Sequence, residues 1–360
     1  MAIDLMAEVD ANEKGMGGEG FVSLTRLIKS ARRTGRAQET MTTSDFTYMA
    51  DLTDRGVMTG YLDDTVPISY PALGYKRNTS DLVRGVSGSQ TGRGRDYRID
   101  AVKTIPTVAE KGEYLPIDVA EEWYNFATRK YGCQFDVSWE AWLADGRDLG
   151  LLQGYPATWG LSTRYTQQQV FTTAYAGSTA TFFSVAHANL GTGALSEANL
   201  ALGIAAIRTQ ATPAGNVSAY GGKLTLVVPP GLELTARQIV NSTLVVSGAG
   251  AARPELNMVA GAVNIVVDAF LPSIDTTQGT TAWYLFCDPR IRPAIRYGFL
   301  EGFEEPEIFV KAGEAQRLFG GNADPFDGTF LTDDIEFKLR FMFGADTVDP
   351  NGAYMSDGTV

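Results

Sequence analysis

The sequence predicts an α+β fold, and three observations carry that prediction. Its 39 glycines and 15 prolines are spread along 360 residues, which implies many turns and therefore substantial β content. No glycine or proline interrupts 161–175, so a long helix is expected there. Near the end of the chain Ile335, Phe337, Leu339, Phe341 and Phe343 alternate with Glu336, Lys338, Arg340 and Met342, the period of a strand with one buried face. A length of 360 residues with 44% hydrophobic content suits a globular protein of about two domains.

Taken in order, residues 1–20 are acidic and then glycine-rich, and read as extended. From Phe21 to Arg36, Leu24, Leu27 and Ile28 fall at helical spacing beside Arg26, Lys29, Arg32, Arg33 and Arg36. This is either a solvated amphipathic helix or an arm lying on an acidic neighbour. Thr43 or Ser44 caps a second helix carrying Phe46, Met49, Leu52 and Val57. Pro67–Pro71 reads as extended. The fragment SGSQTGRGRD has neither the Gly-Lys-Ser/Thr ending nor the preceding strand of a phosphate loop, and reads as a mobile loop.

Residues 96–137 read as a long two-stranded arm. Tyr97–Val108 is extended, Glu110-Lys111-Gly112-Glu113 forms the turn, and Tyr114–Val119 resumes the extended pattern. Glu121–Lys130 is expected to be helical, and Cys133, Phe135 and Val137 then alternate. Such a ribbon has little apolar surface of its own. Isolated two-stranded ribbons are marginal in water, so a long one implies a partner surface.

Ser138 is placed to cap a short helix reaching Leu152, and Pro156 suits the first turn of a second helix reaching Tyr175. That second helix would be roughly 30 Å long. Its Thr166-Gln167-Gln168-Gln169 stretch is polar, so it reads as an ordinary surface helix or as a beam touched on one side by its own domain and elsewhere by water or other subunits. Ala176–Thr192 reads as a loop. Ser196 caps a helix presenting Leu200, Ile204 and Ile207, and Lys223–Val228 is a strand. Pro229-Pro230 stops that strand and starts a helix with Leu232, Ala236, Ile239 and Val240 inward. With strands at 262–267 and 283–287, residues 222–290 read as a compact mixed α/β unit. A short strand is expected at 308–311, and the tail from Asp346 reads as turn-rich surface.

Composition excludes several chemistries. Cys133, Cys287 and His187 are the only cysteines and histidine, too few for a zinc site of about four ligands and no disulfide scaffold. His187 is the sole base for a hydrolytic triad, and no Gly-x-Ser-x-Gly elbow supplies a nucleophile. The carboxylate neighbours Asp63-Asp64, Glu121-Glu122, Glu304-Glu305 and Asp333-Asp334 point apart on a strand or lie in solvated turns. No cofactor, metal or enzymatic activity is therefore expected, and a soluble α/β enzyme with a polar pocket around His187 is the rival from another class. No stretch approaches 18 apolar residues, so no membrane contact is expected, and the basic and apolar regions of a signal peptide are missing at the start, which points to the cytoplasm. A net charge of −12 opposes general nucleic-acid binding, yet suits a wall whose acidic inner face keeps a packaged polymer from sticking.

Seven groups of residues then point to a family. They are Met41-Thr-Thr-Ser-Asp-Phe46; Val108-Ala-Glu-Lys-Gly-Glu-Tyr114; Tyr131-Gly132 through Ser138; Leu226 through Arg237; Trp283-Tyr-Leu-Phe-Cys-Asp-Pro289; Phe299-Leu-Glu-Gly302 with Pro306; and Asp334 through Arg340 with Phe343-Gly-Ala345 and Asp349-Pro350. In number and order they resemble the major capsid proteins of tailed phages, and among these the Mu-like major head subunit (gpT-type) branch. The resemblance implies an N-terminal arm over 1–45, a connecting helix and extended segment over 46–84, an E-loop over 85–137, a peripheral domain over 138–221 and 291–360, and an axial domain over 222–290. It implies a non-enzymatic protein that self-assembles, as hexamers and pentamers, into an icosahedral shell around double-stranded DNA, in the virion and assembled in the host cytoplasm. Glu110, Lys111, Gly112, Glu113 and Tyr114 would contact a neighbour at the E-loop tip, and Arg26, Lys29, Arg32, Arg33 and Arg36 would do so from the arm. Scaffold, portal and decoration proteins are possible partners, and DNA a weak, non-specific one. An encapsulin-like compartment shell, which shares the fold, is the close alternative.

Overall fold

The runs LTLVV and WYLF hold almost no group that prefers water, and each becomes a strand buried along its whole length. The structure, a computed structural model, describes residues 56–78, 93–100, 105, 107–108, 110–114, 120–138, 140, 151–177, 179–211, 220–245, 255–257, 259–311, 316–317, 321–322 and 331–359. The strands are β1 (Gly74–Lys76), β2 (Arg93–Asp100), β3 (Ala120–Ala127), β4 (Arg129–Ser138), β5 (Leu190–Gly191), β6 (Leu224–Val228), β7 (Leu244–Val245) and β8 (Glu255–Leu256). They continue with β9 (Val263–Val267), β10 (Trp283–Phe286), β11 (Ile295–Gly298), β12 (Glu307–Val310), β13 (Gln316–Arg317), β14 (Gly321–Asn322), β15 (Asp334–Thr347) and β16 (Ala353–Ser356). Helices are α1 (56–62), α2 (Tyr70–Leu73), α3 (Leu151–Ala176), α4 (Glu197–Thr209) and α5 (Glu233–Asn241), with further single turns between them.

The chain divides into two compact units. One comprises the described residues up to Asp63 with Gly132–Leu161 and Pro306–Arg340. Its core gathers Val57, Val137, Trp159, Ile335, Phe337 and Leu339, with Phe135 set edge-on to Trp159 at 5.9 Å between ring centres. Strand β12 pairs antiparallel with the first half of β15, Glu307 opposite Arg340 and Val310 opposite Phe337. Helix α1 approaches α3 closely enough that a side chain at Gly60 would fall on the Ala157 carbonyl, and one at Gly160 on the Val57 carbonyl. Glycine at both positions is what lets the two backbones meet.

The other unit comprises Asp64–Tyr131, Ser162–Glu305 and Phe341–Val360. Its principal sheet runs β5-β16-β10-β6-β9, with the outer pairs parallel and β10 antiparallel to both neighbours. One face packs Leu226, Val228, Trp283 and Leu285 against Leu200 and Ile207 of α4 and Ala236 and Val240 of α5. The opposite face packs Val227, Tyr284, Phe286 and Met355 in one cluster with Phe171 and Tyr175 of α3. Burial on both sides explains why these strands read as continuous apolar runs rather than alternating ones. A second sheet in this unit joins β1, β11 and the second half of β15.

The helix expected after Ser196 is observed over Glu197–Thr209 and the one expected from Leu232 over Glu233–Asn241, and the strands expected at 223–228, 262–267, 283–287, 308–311 and 335–343 are observed as β6, β9, β10, β12 and part of β15. Ser196 caps α4 by accepting from the Asn199 amide at 3.2 Å. Five expectations are corrected. Glu121–Lys130 is not helical but forms β3 and the start of β4, because β2 offers its backbone a ladder and Trp123, Tyr124 and Phe126 suit a pleated surface. Strand β2 starts at Arg93, inside the expected mobile loop, and ends at Asp100, with Ile105, Thr107 and Val108 outside any strand. Pro67–Pro71 is not wholly extended, since Tyr70 opens α2 with Pro71 in its first turn. Helix α3 begins by Leu151, so Pro156 lies within it rather than at its start. Finally, the tail is not surface: β15 continues to Thr347, and β16 sits between β5 and β10 with Ala353 and Met355 buried.

The polar stretch of α3 is also corrected, and for an instructive reason. Gln167 and Gln168 are each 1% exposed and Thr172 is fully buried. Gln167 Oε1 accepts from Tyr70 Oη at 3.3 Å, while Gln168 and Thr172 face the carboxylate of Asp268, itself buried just after β9. Its Oδ2 accepts from Thr172 Oγ1 at 2.6 Å, Tyr175 Oη at 2.8 Å and Gln168 Nε2 at 3.1 Å, while Oδ1 accepts from the Phe270 amide at 2.9 Å. Gln168 Oε1 accepts in turn from the Ser69 amide at 2.7 Å. A buried charge is tolerated here because donors surround it.

Candidate functional site

Among the described residues strands β2 and β3 pair only with each other, in register from Arg93 opposite Ala127 to Asp100 opposite Ala120. Alternation along β3 sends Phe126, 2% exposed, onto Gly298 and sets Tyr124 against the Arg296 guanidinium at 6.0 Å. Arg296 is buried, and that burial together with nearby Arg77 pulls its pKa down to about 10. The opposite parity leaves Trp123 half exposed, with the Arg95 guanidinium 4.4 Å above its ring centre. Neither residue was singled out from the sequence. The aromatic content of Trp123-Tyr124-Asn125-Phe126 suits a strand, but the expectation of a helix there concealed it.

At the far end of the hairpin Glu110 and Lys111 form a turn, and Glu110, Lys111, Gly112, Glu113 and Tyr114 are all exposed. Lys111 has φ 63°, a left-handed conformation that tightens the turn without a glycine. Tyr114 is 85% exposed and Ile105 79%. The five expected tip residues thus share one exposed segment. The arm residues Arg26, Lys29, Arg32, Arg33 and Arg36, and the capped helix expected from Thr43, lie outside the described residues.

Elsewhere lie the single histidine and the two cysteines. His187 is exposed in a single helical turn, its Nδ1 3.2 Å from the Phe182 carbonyl, and a shallow depression of about 400 Å³ along Gly191, Asn199, Leu202 and Tyr354 does not include it. Cys133 is exposed on β4, and burial raises the Cys287 thiol from 9.0 to about 12. Among the described residues no His, Cys, Asp and Glu gather as metal ligands, and no helix is long and apolar enough to cross a membrane. Asp64 of the acidic pairs binds Arg164 at 2.6 Å, and Glu304 binds Lys76 at 3.0 Å, which holds the Glu304 carboxyl below its usual range.

The buried thiol makes stability sensitive to alkali. The unfolded thiol ionises near pH 9.0 and the native one only near 12, so stability is full below pH 9 and is lost as pH rises through that window. Buried Tyr284, whose hydroxyl burial also pushes up from 10.0, steepens the loss above pH 10. Urea midpoints should therefore fall between pH 8.5 and 10.5, and Cys287→Val should flatten the decline by about 1.4 kcal/mol per pH unit. An unchanged slope in that variant would contradict the assignment.

Two of the most exposed apolar side chains, Tyr114 and Ile105, lie in the segment that joins β2 to β3, while the buried Asp268 carboxylate is met by donors of its own chain. The profile of the phage capsid protein family matches residues 122–356, well over half of the chain, and the chain belongs to that family. It is a structural capsid protein of the phage head. No curated protein matches the sequence. Among solved structures it is similar to the capsid of cyanophage P-SCSP1u, at 11% identity and TM-score 0.48 over 80% of this chain and 87% of that one. It is also similar to a chain of Gordonia phage Cozz, at 12% identity and TM-score 0.44 over 75% and 82%. A virus-like particle from Pyrococcus furiosus is similar at 12% identity and TM-score 0.41 over 86% and 99%.

Proposed function

We propose that this chain is the major head subunit of a tailed phage of the Mu-like branch, a non-enzymatic protein that closes with its own copies into an icosahedral shell around double-stranded DNA, assembled in the host cytoplasm. One observation carries the reading: among the described residues β2 and β3 form a ribbon with no third strand and an exposed tip. Two strands alone are marginal in water, and a surface on an adjacent copy completes them. The hairpin over 85–137 is then the E-loop, reaching over the neighbour with Glu110, Lys111, Gly112, Glu113 and Tyr114. Residues 1–45 are an arm whose Arg26, Lys29, Arg32, Arg33 and Arg36 meet acidic patches. The peripheral domain takes 138–221 and 291–360, and the axial domain takes 222–290 around the symmetry axes. Scaffold, portal and decoration proteins are its expected partners, and the net charge of −12 keeps contact with DNA weak.

Electron microscopy of the protein expressed alone and with its scaffold tests this directly. Closed shells, and nuclease-protected DNA in particles from phage-producing cells, are expected. Protein that stays monomeric under every scaffold and salt condition would sink the proposal, and shells holding protein cargo without DNA would turn it towards a compartment shell.

A further inference from the structure

We propose that, in the free subunit, the segment Ile3–Val9 of the same chain adds to the open edge of β9 as a sixth strand of the principal sheet. The inference concerns the chain before it meets another copy, and so it stands apart from the proposed assembly.

The edge is set by the ladder. β9 is the last strand in the order β5-β16-β10-β6-β9. It lies parallel to β6, Leu224 opposite Val263 and Val228 opposite Val267, and the Asp268 amide donates to the Val228 carbonyl at 3.0 Å. In a parallel ladder that bond fixes the parity. Asn264 and Val266 turn their N–H and C=O groups towards β6, and Val263, Ile265 and Val267 turn theirs outward. Among the described residues no hydrogen bond engages the outward groups. A row of unmet donors and acceptors is a template for another strand.

None of the usual devices blunts this edge. β5, at the other end of the sheet, is only two residues long, and β12, an edge of the other large sheet, carries Glu307 and runs into Lys311. β9 is VNIVV, five residues without charge, proline or glycine. β6 and β10 are buried throughout, whereas Ile265, Val266 and Val267 are only partly buried. Their β-branched side chains gain from a strand that covers them.

The sequence supplies a strand that fits. Ile3, Leu5, Ala7 and Val9 share one parity, and Asp4, Glu8 and Asp10 share the other with Met6. Paired to β9, the first set continues the face of Val263, Ile265 and Val267, which belong to the cluster with α4 and α5. The acids then lie on the face where Asn264 is exposed. Tethering favours this occupant over a second copy. Residues 10–55 span up to about 150 Å when extended, so reach does not limit it. Such a tether holds the segment at an effective concentration on the order of a millimolar, well above that of a second copy in micromolar solution.

Hydrogen exchange of the full-length subunit at micromolar concentration, resolved to single amides by gas-phase fragmentation, tests the proposal. The parent is compared with a deletion of 2–10 and with Leu5→Lys combined with Val9→Lys. The Ile265 and Val267 amides should be protected in the parent and exchange about tenfold or more faster in both variants. Leu226 and Val227 in β6 should keep the parent's rate. Should the deletion fail to fold, the double substitution decides the matter. Equal protection in parent and variants would show that something else covers the edge, and fast exchange in the parent would show that nothing does; either result overturns the proposal. Protection that rises with protein concentration would make a second copy the occupant and overturn it as well.

Discussion

Asp268→Ala is expected to lower the unfolding free energy by about 4 kcal/mol or more, enough to leave many domains largely unfolded. The residue is 2% exposed and accepts from Gln168, Thr172, Tyr175 and the Phe270 amide. Removing the carboxylate strands those donors in a site that water does not reach, at about 1–3 kcal/mol for each group left unmet. Tyr175 shows how firmly the centre is set, since burial and the adjacent Asp268 carboxylate hold its hydroxyl protonated well above the usual tyrosine range. Tyr175→Phe removes one donor and keeps the acceptor served by the others, so its expected loss is smaller, about 1–2 kcal/mol. Urea denaturation of the unassembled subunit, followed by tryptophan emission, gives both values. Equal losses for the two variants, or a loss under 1 kcal/mol for Asp268→Ala, would show that the network is not what holds α3 to β9.

Deletion of 110–113 is expected to do the reverse. Those residues are exposed and belong to none of the three buried clusters, so the unfolding midpoint should move by no more than about 0.5 kcal/mol in free energy. Shell yield should nevertheless fall to background in sedimentation and electron microscopy, because under the proposed function the deletion shortens the part of the ribbon that reaches an adjacent copy. A variant with a lowered midpoint and normal shells would contradict both halves of the expectation.

These two results divide what sequence reasoning reaches from what it does not. Alternation from Ile335 to Phe343 was legible because a strand with one wet face writes its burial into every second residue. The cap at Ser196 and the Pro229-Pro230 stop were legible because their chemistry is local. Glu121–Lys130 misled because a short run that opens on Glu121-Glu122 and closes on Arg129-Lys130 carries the charges of helix ends until β2 supplies a ladder, and pairing across some twenty intervening residues has no local signature. Trp123 was lost with it, since a residue's face cannot be assigned before its element is.

The long helix closes the comparison. Uninterrupted backbone propensity from Leu161 to Tyr175 was enough to determine that a helix runs there. Membership of the capsid class was equally written in the number and order of short segments. The tertiary structure alone decided what the polar half of that helix is for. Gln168 and Thr172 look destined for solvent or another subunit, because residue type states only that a polar group needs a partner. The partner proved to be Asp268, about a hundred residues away along the chain. Only folding brings that carboxylate to the helix, and so only the structure places Gln168 and Thr172 in the buried core.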